Sequence, residues 1–220
     1  MPRSRDTDVT FYKGLYESFF RRYRALRSGV SGREKRVPRQ AAAPIYCGSS
    51  MSSMKVSRVE WVDVVDVQDR VIGVAERARV RRENLRHRAS YILVLDEAER
   101  VLVQRRTLGK DFCPGMLDAC AGGVVTQGEQ MEPSARRELA EELGIREVAL
   151  QAFGTFYAEG EGYRVWGGLF SCCYQGPLQL QAEEVSEVHW MSLAEIGLRA
   201  DEFTPDSLLA IATWQARRHG

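Results

Sequence analysis

A chain of 220 residues, 44% hydrophobic and 28% charged, suits one domain of ordinary size plus an appendage, and no apolar run approaches the roughly 18 residues of a membrane-spanning helix. Five cysteines without regular spacing do not make a disulfide framework and point to a reducing, cytoplasmic setting. The formal net charge of +1 hides an asymmetry: residues 1–50 carry 11 Lys and Arg against 4 Asp and Glu, a net of +7, and the remainder carries 20 against 26, a net of −6.

That asymmetry divides the chain. Residues 1–57 read as a basic, disordered extension that ends in a small polar run from Gly48 to Met54. Within it, residues 11–27 form a candidate helix with Phe11, Leu15, Phe19 and Tyr23 on one side. Three accounts of the extension compete: a basic arm for nucleic acid or membrane, an organellar targeting segment, or residues upstream of a true start at Met51 or Met54. Asp6 and Asp8 weigh against targeting, and without an apolar core segment there is no secretory signal.

Residues 58–220 read as mixed α/β (α+β). Strands are expected over 59–67 and 71–74, joined by a turn at 68–70, then a short charged helix or loop over 78–85. Residues 89–95 and 101–105 look like a hairpin, and 117–125 leads into the next helix. Residues 148–157 and 163–174 form a second antiparallel pair about Gly160-Glu161-Gly162, followed by a strand over 185–190. Ser192 and Glu195 form a capping box, and Thr204-Pro205 opens a last helix that buries Leu208, Ile211 and Trp214.

The chemistry concentrates in residues 123–145, GVVTQGEQMEPSARRELAEELGI. Ala135, Leu139 and Leu143 form an apolar stripe, Pro133 stands where a missing N–H is harmless, and Gly144 suits a left-handed helix end. Glu138, Glu141 and Glu142, spaced by three and four, share another face of this helix. Like charges at such spacing repel by roughly 0.2–0.5 kcal/mol per pair, and a hard divalent cation would turn that repulsion into attraction. A solvated acidic face is the usual reading of a charge run, but here the glycines, glutamates and arginine all fall at one spacing, which weighs against it.

Gly123, Glu129, Arg137-Glu138-Leu139, Glu141-Glu142 and Gly144-Ile145 fall at the spacing of the Nudix hydrolase signature, and every defined position is matched. The stretches EWVDVVD, LRHRASYILVL, VLVQRRTLGKDFCPGMLDACAGG, YRVWGGLFSC, EVSEV and DEFTPDSL extend the similarity, from Val59 onward, to the YfcD-like bacterial subgroup. This favours the downstream methionine start, since the similarity begins just after Met51 and Met54. The resemblance implies a Nudix fold, a mixed twisted β-sheet between helices. It implies hydrolysis of a phosphoanhydride bond in a nucleoside diphosphate linked to another moiety, or a similar organic diphosphate, with Mg2+ or Mn2+. Glu138, Glu141 and Glu142 are then metal ligands and catalytic carboxylates, with Glu138 either a ligand or the base, and the carbonyl of Gly122 is an added ligand. Glu129 and Arg137 orient the loop and helix, with Gly123 and Gly144 as supports.

Outside the signature, Glu184 and Glu187 are candidates for a further base. Arg105, Arg106, Lys110 and His87 are candidates for binding substrate phosphate, and Phe156, Tyr163 and Trp166 for stacking. The expected partner is a small diphosphate; no membrane is expected, nucleic acid only through the basic extension, and a homodimer stays open. Two other activities are weighed. Isopentenyl-diphosphate isomerase resembles the run about His87, but its cysteine and a metal-binding histidine fall at Ala121 and Gly123 here. A non-catalytic nucleotide-sensing module would lack the reason to keep every signature carboxylate.

Overall fold

The computed structural model describes residues 59–218; the proposed helix at 11–27, the accounts of the extension and His219 lie outside that range. Strands β1 (Trp61–Val65) and β2 (Val71–Glu76) pair antiparallel as a small separate sheet, with Asp69 at φ 62° in the connecting turn. Helix α1 (Arg77–Arg82) follows directly, so the short charged stretch is helical. The main sheet contains β3 (His87–Leu95), β4 (Val101–Arg106), β5 (Leu117–Asp118), β6 (Gln151–Gly160), β7 (Tyr163–Cys173) and β8 (Val185–Met191). Its order is β5-β4-β3-β7-β6, with β8 also paired to β4. Helices α2 (Met131–Glu142), α3 (Leu193–Leu198) and α4 (Pro205–Arg217) complete the mixed α+β architecture.

Strand alternation assigns the two faces of this sheet. Ala89, Tyr91, Leu93 and Leu95 of β3 join the core that contains Leu208, Ile211 and Trp214 of α4. Ile92 and Val94 point the other way and pack with Ala135, Leu139 and Leu143 of the α2 stripe. Both faces of β3 are thus covered, which is why its sequence is almost continuously apolar. At the end of α2, Gly144 has φ 70° and the Ile145 N–H returns to the Leu139 carbonyl, a left-handed stop. The box at Ser192 and Glu195 is closed in both directions.

The hairpin expected over 89–95 and 101–105 differs in an instructive way. Asp96 Oδ1 accepts the N–H groups of Ala98 and Arg100 and holds the turn, but β3 and β4 pair only at Leu95 and Val101. Beyond that point they part. Residues 117–118 pair with β4, and the chain then crosses to β3, where Ala121 bridges Ile92 and Val124 bridges Ala89. Here β3 instead runs parallel to β7 and β4 antiparallel to β8. The wedge opened between β3 and β4 carries the chain toward α2 and makes room for a site.

Candidate active site

Two glycines bring the wedge against α2. Gly122 has φ 145°, and a Cβ there would lie 2.0 Å from the Ser90 carbonyl oxygen. Its N–H donates to Glu142 Oε2 at 3.1 Å. A Cβ on Gly123 would stand 2.7 Å from the Glu138 carboxyl carbon. Only an absent side chain lets Glu138 press against this backbone. The Gly123 carbonyl accepts from Ser90 N–H at 2.9 Å, whereas no backbone hydrogen bond among the described residues ends on the Gly122 carbonyl.

The acidic face of α2 is not the solvated face that its charge suggests. Glu142 is 2% exposed and Glu138 8%, and only Glu141 faces solvent. Burial first, then the neighbouring Glu138, raises the Glu142 carboxyl well above the usual carboxylate range. Burial also raises Glu138, against the pull of Arg137. Glu184 joins from the β7–β8 connection: it pairs with Lys110 and lies beside Glu142. Burial works upward on Glu184, but the Lys110 ammonium more than offsets it and keeps the carboxyl low. Buried Gln104 donates its amide to Glu142 Oε2 at 3.3 Å and to the Cys120 carbonyl at 3.0 Å.

Arg137 is the organiser. It contacts Glu129 through Nε at 3.1 Å and Nη2 at 3.0 Å, while Nη1 reaches Glu138 at 2.7 Å and Glu141 at 3.2 Å. Glu129 also accepts from the Thr126 N–H and hydroxyl, fixing the loop before the helix. Among the described residues the carboxylates do not already converge as a closed metal cage, since Arg137 holds Glu138 and Glu141. The donor set nonetheless fits a hard cation: buried carboxylate oxygens, crowded enough to raise their proton affinity, beside a backbone carbonyl without a backbone partner.

The remaining candidates separate. Arg105 and Glu187 pair with each other at 2.5 Å, and Arg105 also donates to the Gly115 carbonyl; neither lines the cleft. Consecutive strand residues face opposite ways, so Arg106 points inward, 2.9 Å from Asp118. Lys110 and His87 both line the cleft. His87 is 3% exposed, and burial lowers its pKa to about 4. Phe156 and Trp166 are core residues, whereas Tyr163 lines the cleft. Sequence reasoning did not single out Arg77, Arg81, Tyr91, Gln104, Asp118 or Asp206. The i, i+4 arginines of α1 were visible as a basic pair, but only the fold brings α4 and its Asp206 to Tyr91, whose hydroxyl donates to it at 2.9 Å.

With this geometry in place, known proteins are informative. A family model described as NUDIX domain matches residues 85–211, which includes the wedge, α2 and Asp206. The chain belongs to the Nudix hydrolase family. It is 54% identical over 167 residues to the Escherichia coli (strain K12) protein named Uncharacterized Nudix hydrolase YfcD, covering 76% of this chain and 93% of that one. A Pseudomonas aeruginosa Nudix hydrolase is 42% identical over 163 residues, 73% of this chain and 96% of its own. Among solved structures, DR0079 from Deinococcus radiodurans superposes with a TM-score of 0.59 at 21% identity over 71% of this chain and 98% of its own. The MutT protein from Methanosarcina mazei Go1 does so with 0.52 at 23% identity over 61% and 94%. These likenesses support the fold. Nudix hydrolases generally cleave a nucleoside diphosphate linked to another moiety and use divalent ions such as Mg2+. Among the described residues no helix is long and apolar enough to cross a membrane.

Proposed function

We propose that this Nudix hydrolase cleaves a phosphoanhydride bond in a nucleoside diphosphate linked to another group, or in a similar organic diphosphate, with Mg2+ or Mn2+. The observation that carries this reading is Glu142, buried against Glu138 and Glu184 with the Gly122 N–H on its oxygen. Glu138, Glu141, Glu142 and the Gly122 carbonyl are the groups that would hold the ion. A bound divalent ion would neutralise phosphate charge and make water a stronger acid. Glu184 lies beside this cluster and is ionised by Lys110, so it is the better candidate than Glu187 to take a proton from the attacking water. Lys110 and Arg77 line both parts of the cleft and are placed to hold phosphate oxygens. Arg137 positions two of the glutamates and is assigned no contact with substrate.

The test is phosphate release from a panel of nucleoside, sugar, coenzyme and isoprenoid diphosphates, with and without Mg2+ or Mn2+. Glu142→Gln should lower kcat by at least about 10²-fold in the presence of metal while leaving the fold intact. Full metal-dependent activity in that variant would remove Glu142 from the proposed ligands. Release that is equally fast in a chelator would refute the metal dependence itself.

A further inference from the structure

Beyond the carboxylate groove lies a chamber that hydrolysis as such leaves without a task. Arg77, Lys110, Gly122, Gly123 and Val124 line both spaces, which therefore form one continuous cleft. The groove has a volume of about 690 Å³ and the chamber about 60 Å³. The chamber has less than a tenth of the groove's volume and suits the more compact end of a substrate. The groove is the roomier place for a nucleobase.

The chamber wall has a chemical bias. Part of its donor capacity is engaged within the wall: Arg106 gives Nε to the Phe112 carbonyl at 3.0 Å and Nη1 to Asp118 at 2.9 Å, and the Tyr91 hydroxyl goes to Asp206, whereas the buried Ser90 hydroxyl has no partner and can donate or accept. His87 Nδ1 lies 3.0 Å from the Leu85 carbonyl, which only accepts, so the proton sits on Nδ1 and Nε2 is an acceptor. Asp118 and Asp206 each also take a backbone N–H, from Cys120 and Ser207, yet a carboxylate has about four acceptor sites. Acceptor sites therefore predominate in the spare capacity, beside the unpartnered hydroxyl of Ser90. At the mouth the sign reverses: Arg77 and Arg81, one helical turn apart on α1 and next to Lys110, each hold a buried Nε without a hydrogen bond, although Arg77 Nη1 pairs with Glu60 at 3.2 Å and Arg81 Nε stands 3.7 Å from Asp111.

We infer that this chamber selects the non-nucleoside end of the substrate: a compact head group that donates hydrogen bonds, of the short polyol or amino-alcohol class. The head enters toward His87, Asp118 and Asp206, the diphosphate lies across Arg77, Arg81 and Lys110, and the nucleoside stays in the outer groove. This inference rests on the hydrolytic reading for its substrate frame.

The experiment compares kcat/KM for CDP-glycerol, CDP-ethanolamine, CDP-choline, ADP-ribose and diadenosine tetraphosphate with Mg2+. Calorimetric binding of the same compounds to the metal-free protein runs beside it. CDP-glycerol or CDP-ethanolamine should exceed CDP-choline, whose quaternary ammonium donates nothing, by about tenfold or more in both measurements. The better of the two tells polyol from amino alcohol. Asp206→Asn and His87→Phe should each reduce that preference, read as the ratio to CDP-choline in the same variant, several-fold. A loss uniform across all compounds would mark these residues as structural and overturn the inference, as would preferred turnover of ADP-ribose or the dinucleotide with the hydrolytic reading intact. Ranked binding without any hydrolysis would uphold the chamber and reject the hydrolytic reading. Binding without rank would reject the chamber.

Discussion

Alanine at two adjacent glycines separates catalysis from folding. At Gly123 a Cβ would meet the Glu138 carboxyl at 2.7–2.8 Å, so that group must retreat by about 0.7 Å to reach the 3.4 Å at which ordinary contact begins. The atoms it meets are the far end of a flexible side chain, and Gly123 does not occupy the left-handed backbone region. Rotation of Glu138 therefore accommodates the methyl group, and Gly123→Ala should change stability by less than about 1 kcal/mol. With Glu138 in its proposed role the cost falls on the reaction, because displacing a group at the reacting centre by a large fraction of an ångström lowers rate on the order of 10²-fold. At Gly122 the same methyl would lie 2.0 Å from the Ser90 carbonyl oxygen and 2.8 Å from its carbon. Those atoms belong to β3, which is laddered to β7, and φ is 145°, so neither neighbour nor backbone yields. Gly122→Ala should therefore lose about 3–5 kcal/mol or fail to fold. Urea unfolding gives the first quantity and steady-state hydrolysis the second. Wild-type kcat in Gly123→Ala, or equal destabilisation by both variants, would refute the reasoning.

Three further outcomes are expected. Mg2+ should raise Tm more at pH 8 than at pH 6, because with the proposed ligands cation and proton compete for Glu142, whose carboxyl burial and Glu138 hold above its usual range; equal shifts would contradict this. His87 stays neutral in the fold down to about pH 4, against about 6.5 when unfolded, so the unfolded chain binds more protons between those values. Its contribution is present above that window and lost as pH falls through it. Wild type should thus lose up to about 3 kcal/mol more than His87→Gln between pH 6.5 and 4, as read by denaturant unfolding at each pH. Ser192→Ala removes the hydroxyl that accepts from the Glu195 N–H, leaving the backbone half of the box before α3, and should cost about 1 kcal/mol of stability without altering kcat.

The local chemistry was legible in the sequence because it depends on short spacings. Gly123 to Ile145 shows the helix, its stop at Gly144, the apolar stripe and the Glu129–Arg137 pair, since partners a few residues apart on a helix or its entry loop meet whatever the rest of the fold does. Strand alternation likewise separates Arg105 from Arg106 and Cys120 from Ala121, which enter opposite cores. Depth was not legible. Charge spacing alone cannot say that Glu142 is buried, because its burial is made by the 117–125 segment wedged between β3 and β4 and by two glycines that let it close in. Nor could the sequence choose between Glu184 and Glu187, which differ in whether Lys110 or Arg105 reaches them. The chamber is wholly tertiary: His87, Tyr91, Asp118 and Asp206 come from β3, β5 and α4, and only the packing of α4 on the sheet puts acceptors from such distant positions around one small space.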